Sequence, residues 1–160
     1  MASQKRTPIV VPATEGRRLL VLGNEIEIKL GTSESAGLAF VFECVTPPGT
    51  GVPPHVHQHE DEIIRIIEGE YEMFLDGKTY KATDGAVINF PRSIVHAFRN
   101  SGNRPGRALF MVTPGENFEK FFEELSALPP SVPPDMAKIA DIFNRYGLPI
   151  VGTTSSASAG

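Results

Sequence analysis

The sequence predicts an all-β sandwich or barrel of short antiparallel strands, followed by two short C-terminal α-helices. From about Arg17 to Thr113, short apolar or alternating runs are separated by turn residues at intervals near ten, a pattern typical of antiparallel sandwiches and barrels. After Pro114 the apolar residues recur at helical spacing instead. The 160 residues include 15 glycines and 14 prolines, and so many turn formers favour short elements within one domain.

The predicted strands follow one another with clear turns between them. Gly23-Asn24 separates the first two, and in the second Ile26 and Ile28 alternate with charged residues, as in a strand with one solvated face. Asp76-Gly77 predicts a type I′ hairpin, because both central residues of that turn need positive φ. The predicted strands are RRLLVL, EIEIKL, GLAFVFECV, EIIRIIEG, EYEMFLDG, KTYKATDG, AVINFPRS, VHAFRNSG and RALFMVTP, and TPPGTGVPP is predicted as a loop.

Two helices are predicted after the last strand. In NFEKFFEELSAL the apolar residues fall at i, i+3, i+4, i+7 and i+10 from Phe118, and Pro129-Pro130 ends this helix. The second helix runs from about Pro134 to Tyr146, with Gly147 placed to cap it. We therefore expect an N-terminal arm (1–16), a β-barrel (17–114), C-terminal helices that pack on the barrel (115–151) and a disordered tail (152–160).

Composition and charge exclude several classes of protein. Fifteen Lys and Arg against 19 Asp and Glu give a net charge of −4, so we expect no nucleic-acid partner. The single cysteine, Cys44, lies in an apolar run and is expected to be a buried hydrophobe rather than a nucleophile. The apolar run Ile9–Val11 is too short for a signal peptide, and no stretch approaches the roughly 18 apolar residues of a membrane span. We expect a cytoplasmic protein without membrane contact.

The histidines mark the candidate functional site. All four lie between His55 and His96. His55 and His57 are two residues apart, so on an extended strand both imidazoles point to the same face. Carboxylates follow at 60–62, and imidazole with carboxylate is a ligand set for transition metals. The alternative is that HVHQHEDE is a solvated polar loop.

Two motif frames favour the metal site. Gly49-x5-His55-x-His57-x4-Glu62-x6-Gly69 resembles the first signature motif of the cupin superfamily at every fixed position. Gly85-x5-Pro91-x-Ser93-x2-His96-x3-Asn100 resembles the second, except that the family usually has Gly where this chain has Ser93. The resemblance covers about residues 35–114 and implies a double-stranded β-helix, the jelly-roll barrel of cupins.

The resemblance also implies a ligand set. It predicts that one divalent transition ion (Fe, Mn, Ni, Co or Zn) is held by His55, His57, Glu62 and His96, with Glu62 doubling as the catalytic general base. On an uninterrupted strand, Asp61 would lie on the same face as His55 and His57, and Glu62 would lie on the opposite face. The resemblance therefore requires a turn or register change after His57. His59 is left either beside the site or exposed at the barrel mouth.

Strand parity with the implied ligands suggests which side chains line a pocket. These candidates for substrate binding are also ordinary core residues: Phe40, Phe42, Ile64, Tyr71, Met73, Phe98 and Met111. A pocket of this kind suits a planar or hydrophobic organic substrate that offers one or two oxygens to the metal.

Three functions are consistent with these residues. The first is a metal-dependent dioxygenase acting on an enol or phenol chelated to the metal, as the resemblance to quercetin dioxygenase-like cupins implies. The second is a non-redox lyase, isomerase or polyketide-type cyclase, because fold and ligands do not determine the reaction. The third is a small-molecule-binding protein without turnover. A homodimer is expected by family analogy, since Ile63 and Ile67 on the second face of their strand need cover from another subunit or from the N-terminal segment.

Overall fold

The computed structural model describes residues 7–130 and 133–152, and these form ten strands and three helices. The strands are β1 (Arg17–Val21), β2 (Asn24–Leu30), β3 (Phe40–Thr46), β4 (Gly51–His55), β5 (Asp61–Glu68), β6 (Tyr71–Leu75), β7 (Lys78–Ala82), β8 (Val87–Phe90), β9 (His96–Asn100) and β10 (Gly106–Thr113). The helices are α1 (Thr32–Ser35), α2 (Phe118–Ser126) and α3 (Met136–Arg145). Of the predicted disordered tail, all but residue 152 lies outside the described residues.

The strands form two antiparallel sheets with the apolar core between them. One sheet has six strands in the order β1-β2-β3-β10-β5-β8, and the other has four in the order β4-β9-β6-β7. Strands that are distant in sequence pair within each sheet, as β10 does with both β3 and β5. Inward residues alternate along each strand, so that β3 buries Phe40, Phe42 and Cys44. The predicted all-β jelly roll with two C-terminal helices is confirmed.

The segment predicted as the loop TPPGTGVPP contains a strand instead. Its second half is β4, which lies at the edge of the four-stranded sheet and pairs with β9. An edge strand tolerates Pro53 and Pro54, which lack N–H groups, and this is why the prolines misled the prediction. Gly51 permits the close pairing, because a Cβ there would lie 1.9 Å from the Phe98 carbonyl oxygen.

Two turns contain a non-glycine residue with positive φ. Asp76 and Gly77 both have positive φ, 48° and 78°, which confirms the hairpin between β6 and β7. Ser93, which stands where cupins usually have Gly, has φ 65°. Its N–H donates a 2.7 Å hydrogen bond to the carbonyl of His57. Serine therefore adopts here the positive φ that glycine reaches without strain.

The C-terminal helices pack on the barrel through their aromatic faces. α2 buries Phe118, Phe121, Phe122 and Leu125, and α3 buries Ile139, Ile142 and Phe143. Asp135 caps α3 by accepting a hydrogen bond from the Lys138 N–H. The boundaries expected for the arm, barrel and helices stay predictions.

The outer face of β5 is partly exposed. Ile63 and Ile67 on this face are 39% and 41% exposed. The homodimer that would cover them stays a prediction. Among the described residues, none of the helices combines the length and apolar character needed to cross a membrane.

Candidate metal centre

Three histidines from two strands and a loop converge inside the barrel. His55 ends β4 and pairs directly with His96, which begins β9. His57 lies two residues beyond His55, in the loop that leads to β5. One ring nitrogen from each of the three lies within 4.8 Å of the others, and all three side chains are buried. The structure therefore brings together the histidines that the two motif frames selected.

Hydrogen bonds orient two of the imidazoles. His55 Nδ1 lies 2.8 Å from the Pro53 carbonyl oxygen, and His96 Nδ1 lies 3.0 Å from that of Ile94. A carbonyl oxygen only accepts, so in each neutral ring Nδ1 carries the hydrogen and Nε2 keeps its lone pair. His55 Nε2 is 3.0 Å from His57 Nε2. The ring nitrogens available to an ion therefore lie around a common centre.

Burial keeps His55 and His57 neutral. Burial, with a smaller effect from the neighbouring His96, lowers the pKa of His55 to about 3. Burial also lowers the pKa of His57 to about 2, with added effects from His55 and His96. Neutral imidazole is the form that binds a metal ion, so both rings are ready to do so at neutral pH.

The donor set fits a divalent transition ion. His57 Nδ1 and His96 Nε2 are buried and have no hydrogen-bond partner among the described residues. Buried polar atoms without a partner are rare and call for an explanation. Three converging imidazoles with a carboxylate beside them are a ligand set that such an ion accepts, and it would satisfy the unpartnered His96 Nε2.

Glu62, rather than Asp61, faces the histidines. Glu62 is 5% exposed, and its Oε2 lies 3.6 Å from His96 Nε2. Asp61 faces outward and receives hydrogen bonds from the N–H, Nε and Nη2 of Arg92. These bonds lower the pKa of Asp61 to about 2. β4 ends at His55 and β5 starts at Asp61, so the irregular residues between them supply the register change that the motif requires.

The other polar residues of this segment lie outside the three-histidine group. His59 is exposed, which agrees with the second of its two expected positions. Glu60 is 3% exposed with Oε2 unpartnered among the described residues, and burial raises its pKa. Nothing in the sequence pattern distinguishes Glu60 from its neighbours as a buried residue.

Aromatic rings hold the imidazoles in place. Phe90 stacks on His96 with ring centroids 4.3 Å apart and an interplanar angle of 22°. Phe118 of α2 lies 5.4 Å from His57, and Phe143 of α3 lies 6.0 Å from His55. The C-terminal helices therefore contact the candidate metal centre directly.

An apolar cavity of about 60 Å³ lies beside His55, His57 and Glu62. Phe42 and Phe98, both predicted to bind substrate, line it. Phe42 stacks on Phe110 with centroids 4.8 Å apart and an interplanar angle of 9°. The remaining lining side chains are apolar except Asn24 and Cys44: Val21, Leu22, Ile26, Val52, Phe110, Phe118, Phe121, Phe122, Leu125, Phe143 and Leu148.

Five other residues predicted to bind substrate do not line this cavity. Four of them are fully buried in the core: Phe40, Ile64, Tyr71 and Met73. The expected position of Met111 is corrected, since it is 40% exposed. Its neighbours Phe110 and Val112 point inward, and alternation along β10 turns Met111 outward.

Strand parity could not select the individual helix residues that line the cavity. Phe118, Phe121, Phe122 and Leu125 of α2, with Phe143 and Leu148 at α3, form much of the cavity wall. Their helical stripe showed that this face is buried, but it carries no information about what the face covers. Pairing of strands in the barrel could not reveal these contacts, because the helices lie outside it.

Comparison with known proteins identifies the family. Residues 42–112 match the family described as Cupin_2, the cupin domain. The chain is 31% identical over 75 residues to Polyketide synthase CurC from Streptomyces cyaneus, covering 47% of this chain and 49% of the relative. It is 28% identical over 102 residues to Quercetin 2,3-dioxygenase from Bacillus subtilis, covering 63% of this chain and 30% of the relative. The matches thus span half or less of these relatives' length.

A solved structure agrees with this result. A Thermotoga maritima protein described as a "predicted oxalate decarboxylase" superposes with a TM-score of 0.58 at 26% identity, covering 66% of this chain and 99% of that one. The fold, the matched domain and the positions of the three histidines agree with one another. Residues 42–112 are a cupin domain with the jelly-roll fold.

Proposed function

We propose that this protein is a divalent-metal-dependent cupin enzyme, a dioxygenase acting on a planar, hydrophobic enol or phenol. The observation that carries the proposal is the convergence of three buried imidazoles, two of which, His55 and His57, lie in the wall of an aromatic cavity. Such a site offers a metal for the oxygen atoms of a substrate and apolar surface for its rings. The match to Quercetin 2,3-dioxygenase supports the reaction class.

The proposed ligands are His55, His57, Glu62 and His96. With three neutral imidazoles and one carboxylate, a divalent ion keeps a net charge of +1 and attracts an anionic enolate. When bound, the ion supplies Lewis acidity and redox chemistry.

The chain's own residues provide binding and proton transfer. Glu62 Oε2 faces the histidines from β5 and is placed to accept the hydroxyl proton of an enol as general base. The stacked pair Phe42 and Phe110 offers flat surface to an aromatic substrate. Phe118 and Phe143 cover the imidazoles and exclude water from them. Together these residues favour a ring-containing enol that binds the ion as its enolate after losing its proton to Glu62.

A non-redox reaction on the same class of substrate is the second candidate. The specific observation in its favour is the similarity to Polyketide synthase CurC, at 31% identity. A cyclase, lyase or isomerase needs the same general base and the same bound enolate, because ligands alone do not determine the chemistry. Oxygen dependence separates the two candidates.

The experiment combines metal analysis with oxygen uptake. The protein is loaded with Fe²⁺, Mn²⁺, Ni²⁺, Co²⁺ or Zn²⁺ and incubated with a flavonol and with a hydroxylated polycyclic aromatic, in air and without oxygen. We expect about one metal ion per chain and substrate loss coupled to oxygen uptake. Turnover that continues without oxygen would contradict the dioxygenase and support the second candidate. A ligand that binds and is recovered unchanged would indicate a binding protein.

Histidine variants provide the control. A His55→Ala/His57→Ala variant is expected to lose metal and activity together. His59→Ala, which removes an exposed imidazole from the same loop, is expected to keep both. Metal retained by the double variant would refute the ligand assignment.

A further inference from the structure

The residues after α3 return to the edge of the barrel next to the candidate metal centre. We call residues 147–151 the C-terminal segment. It lies beyond the matched cupin domain, which ends at residue 112. It nevertheless contacts both the strand that carries His55 and the loop that carries His57.

Main-chain hydrogen bonds attach the C-terminal segment on both sides of these histidines. The Val56 N–H donates to the Pro149 carbonyl at 3.1 Å, and the Gln58 N–H donates to that of Gly147 at 2.9 Å. Ile150 forms an antiparallel β-bridge with His55. The Val151 N–H donates to the Pro54 carbonyl at 2.8 Å.

These bonds matter because the His57 loop has little other backbone support. Residues 56–60 belong to none of the strands of the described structure. The Ser93 N–H binds the His57 carbonyl, and the C-terminal segment accepts the hydrogen bonds from the amides immediately before and after His57. The spacing of His55 and His57 therefore depends on a segment far away in sequence.

The same segment forms part of the cavity wall. Leu148 is 1% exposed and forms part of the cavity wall next to Phe143. Its N–H donates to the Phe143 carbonyl at 2.8 Å, which joins the segment to the end of α3. A cavity of about 60 Å³ is well below the roughly 300–1,000 Å³ of small-molecule pockets. Admission of an aromatic substrate therefore requires part of this wall to move.

We propose that the C-terminal segment positions the metal-binding histidines and couples their geometry to closure of the cavity. The inference rests on the metal site of the proposed function. When the segment is docked, Leu148 seals the wall and the Val56 and Gln58 amides are held. When it is released, the wall opens and the His57 loop loses these supports. By linkage, a bound ion favours the docked segment as much as docking favours the ion.

The first test measures Zn²⁺ affinity by calorimetry in the full chain. Leu148→Ala removes the buried anchor, and we expect the dissociation constant for Zn²⁺ to rise about tenfold to a hundredfold, as for other residues that orient metal ligands. Leu148→Met keeps the side-chain volume and is expected to keep wild-type affinity. Ile28→Ala is the matched control, since it removes a buried side chain of β2 that does not line the cavity.

The outcomes separate this inference from the proposed function. If the wild-type protein binds no Zn²⁺, the metal site itself is refuted. If it binds Zn²⁺ and Leu148→Ala binds equally well, the metal site stands and the positioning role is refuted. If Ile28→Ala weakens binding as much as Leu148→Ala does, the effect is general destabilisation and the inference is also refuted.

A second test needs no buried substitution. Val151→Pro removes the N–H that donates to Pro54, whereas Val151→Ala keeps it and shortens a side chain that is 43% exposed. We expect only the proline variant to bind Zn²⁺ more weakly. In hydrogen exchange of the wild-type chain, Zn²⁺ is expected to slow the Val151 amide at least about tenfold. Equal Zn²⁺ affinity of the two variants would overturn the inference. An exchange rate of the Val151 amide that does not change when Zn²⁺ is added would also overturn it.

Discussion

Phe122 of α2 provides the sharpest test of whether the C-terminal helices belong to the same core as the barrel. Its side chain is 7% exposed and lies among four other phenylalanines. Its ring centroid is 4.8 Å from that of Phe42 in an edge-to-face contact and 5.8 Å from that of Phe40, both on β3. It also lies 5.5 Å from Phe118 and 5.5 Å from Phe121. Phe122→Ala would therefore remove contacts between the helix and the barrel.

The expected cost follows from this packing. Burial and cavity effects make Phe→Ala in a core cost about 3–5 kcal/mol. Edge-to-face contact with Phe42 places this site toward the upper part of that range, since aromatic pairs add about 0.5–1.5 kcal/mol. In a chain of this length each kcal/mol lowers the Tm by about 2–4 °C. We therefore expect Phe122→Ala to melt about 6–20 °C below the wild-type protein.

Thermal unfolding followed by circular dichroism measures this difference. The Tm of Phe122→Leu should fall between those of Phe122→Ala and the wild-type protein, because leucine keeps most of the apolar surface. Leu38→Ala is the control, since Leu38 is 58% exposed and its loss should cost less than about 0.5 kcal/mol. If Phe122→Ala melted within about 2 °C of the wild-type protein, α2 would not be part of the core, and its share of the cavity wall would be in doubt.

Three further predictions concern the candidate site and its surroundings. Glu62→Gln should raise the dissociation constant for Zn²⁺, measured by calorimetry, at least about tenfold. Asp61→Asn affects only the outward pair with Arg92 and should leave this constant unchanged. Equal effects of the two variants would refute the choice of Glu62 over Asp61 as the metal ligand. Ser93→Gly should raise the Tm by about 2–4 °C, because it relieves about 1 kcal/mol of strain from a side chain at φ 65°; a lower Tm would contradict this. Cys44 should react with iodoacetamide at pH 8 at least about a hundredfold more slowly in the native than in the unfolded protein, since burial raises its pKa to about 11 and only the thiolate reacts. Mass spectrometry of the alkylated chain checks this, and similar rates in the two states would refute it.

The strands were predictable where alternation and turn chemistry agree. The charged and apolar residues of β2 alternate along the strand, and Asp76-Gly77 has the two positive φ angles that its turn type demands. β4 was not predictable in this way, because Pro53 and Pro54 are typical of loops. Its pairing with β9 depends on Gly51 and on its place at the edge of the sheet, and neither property is local to the segment.

The candidate metal centre, too, was predictable only where the signal is local in sequence. The spacing of His55 and His57 suggests a shared face, but the choice of Glu62 over Asp61 required the motif frame. The physical basis of this choice is non-local. The irregular loop after His55 is held in place because its amides donate hydrogen bonds to the C-terminal segment. No periodicity within the loop could show that its backbone is set by residues about ninety positions later.

The cupin domain and the C-terminal helices therefore determine different properties of the candidate site. The proposed metal ligands lie within the matched cupin domain at 42–112, where similarity to other proteins is informative. Much of the cavity wall lies at 118–148, beyond that domain, and Phe121, Phe143 and Leu148 come from there. Substrate shape is set by the wall and metal chemistry by the ligands, so a relative that shares the histidines need not share the substrate. If the proposed function holds, exchanging side chains on α2 and α3 with the histidines unchanged is accordingly expected to alter which compounds the site accepts.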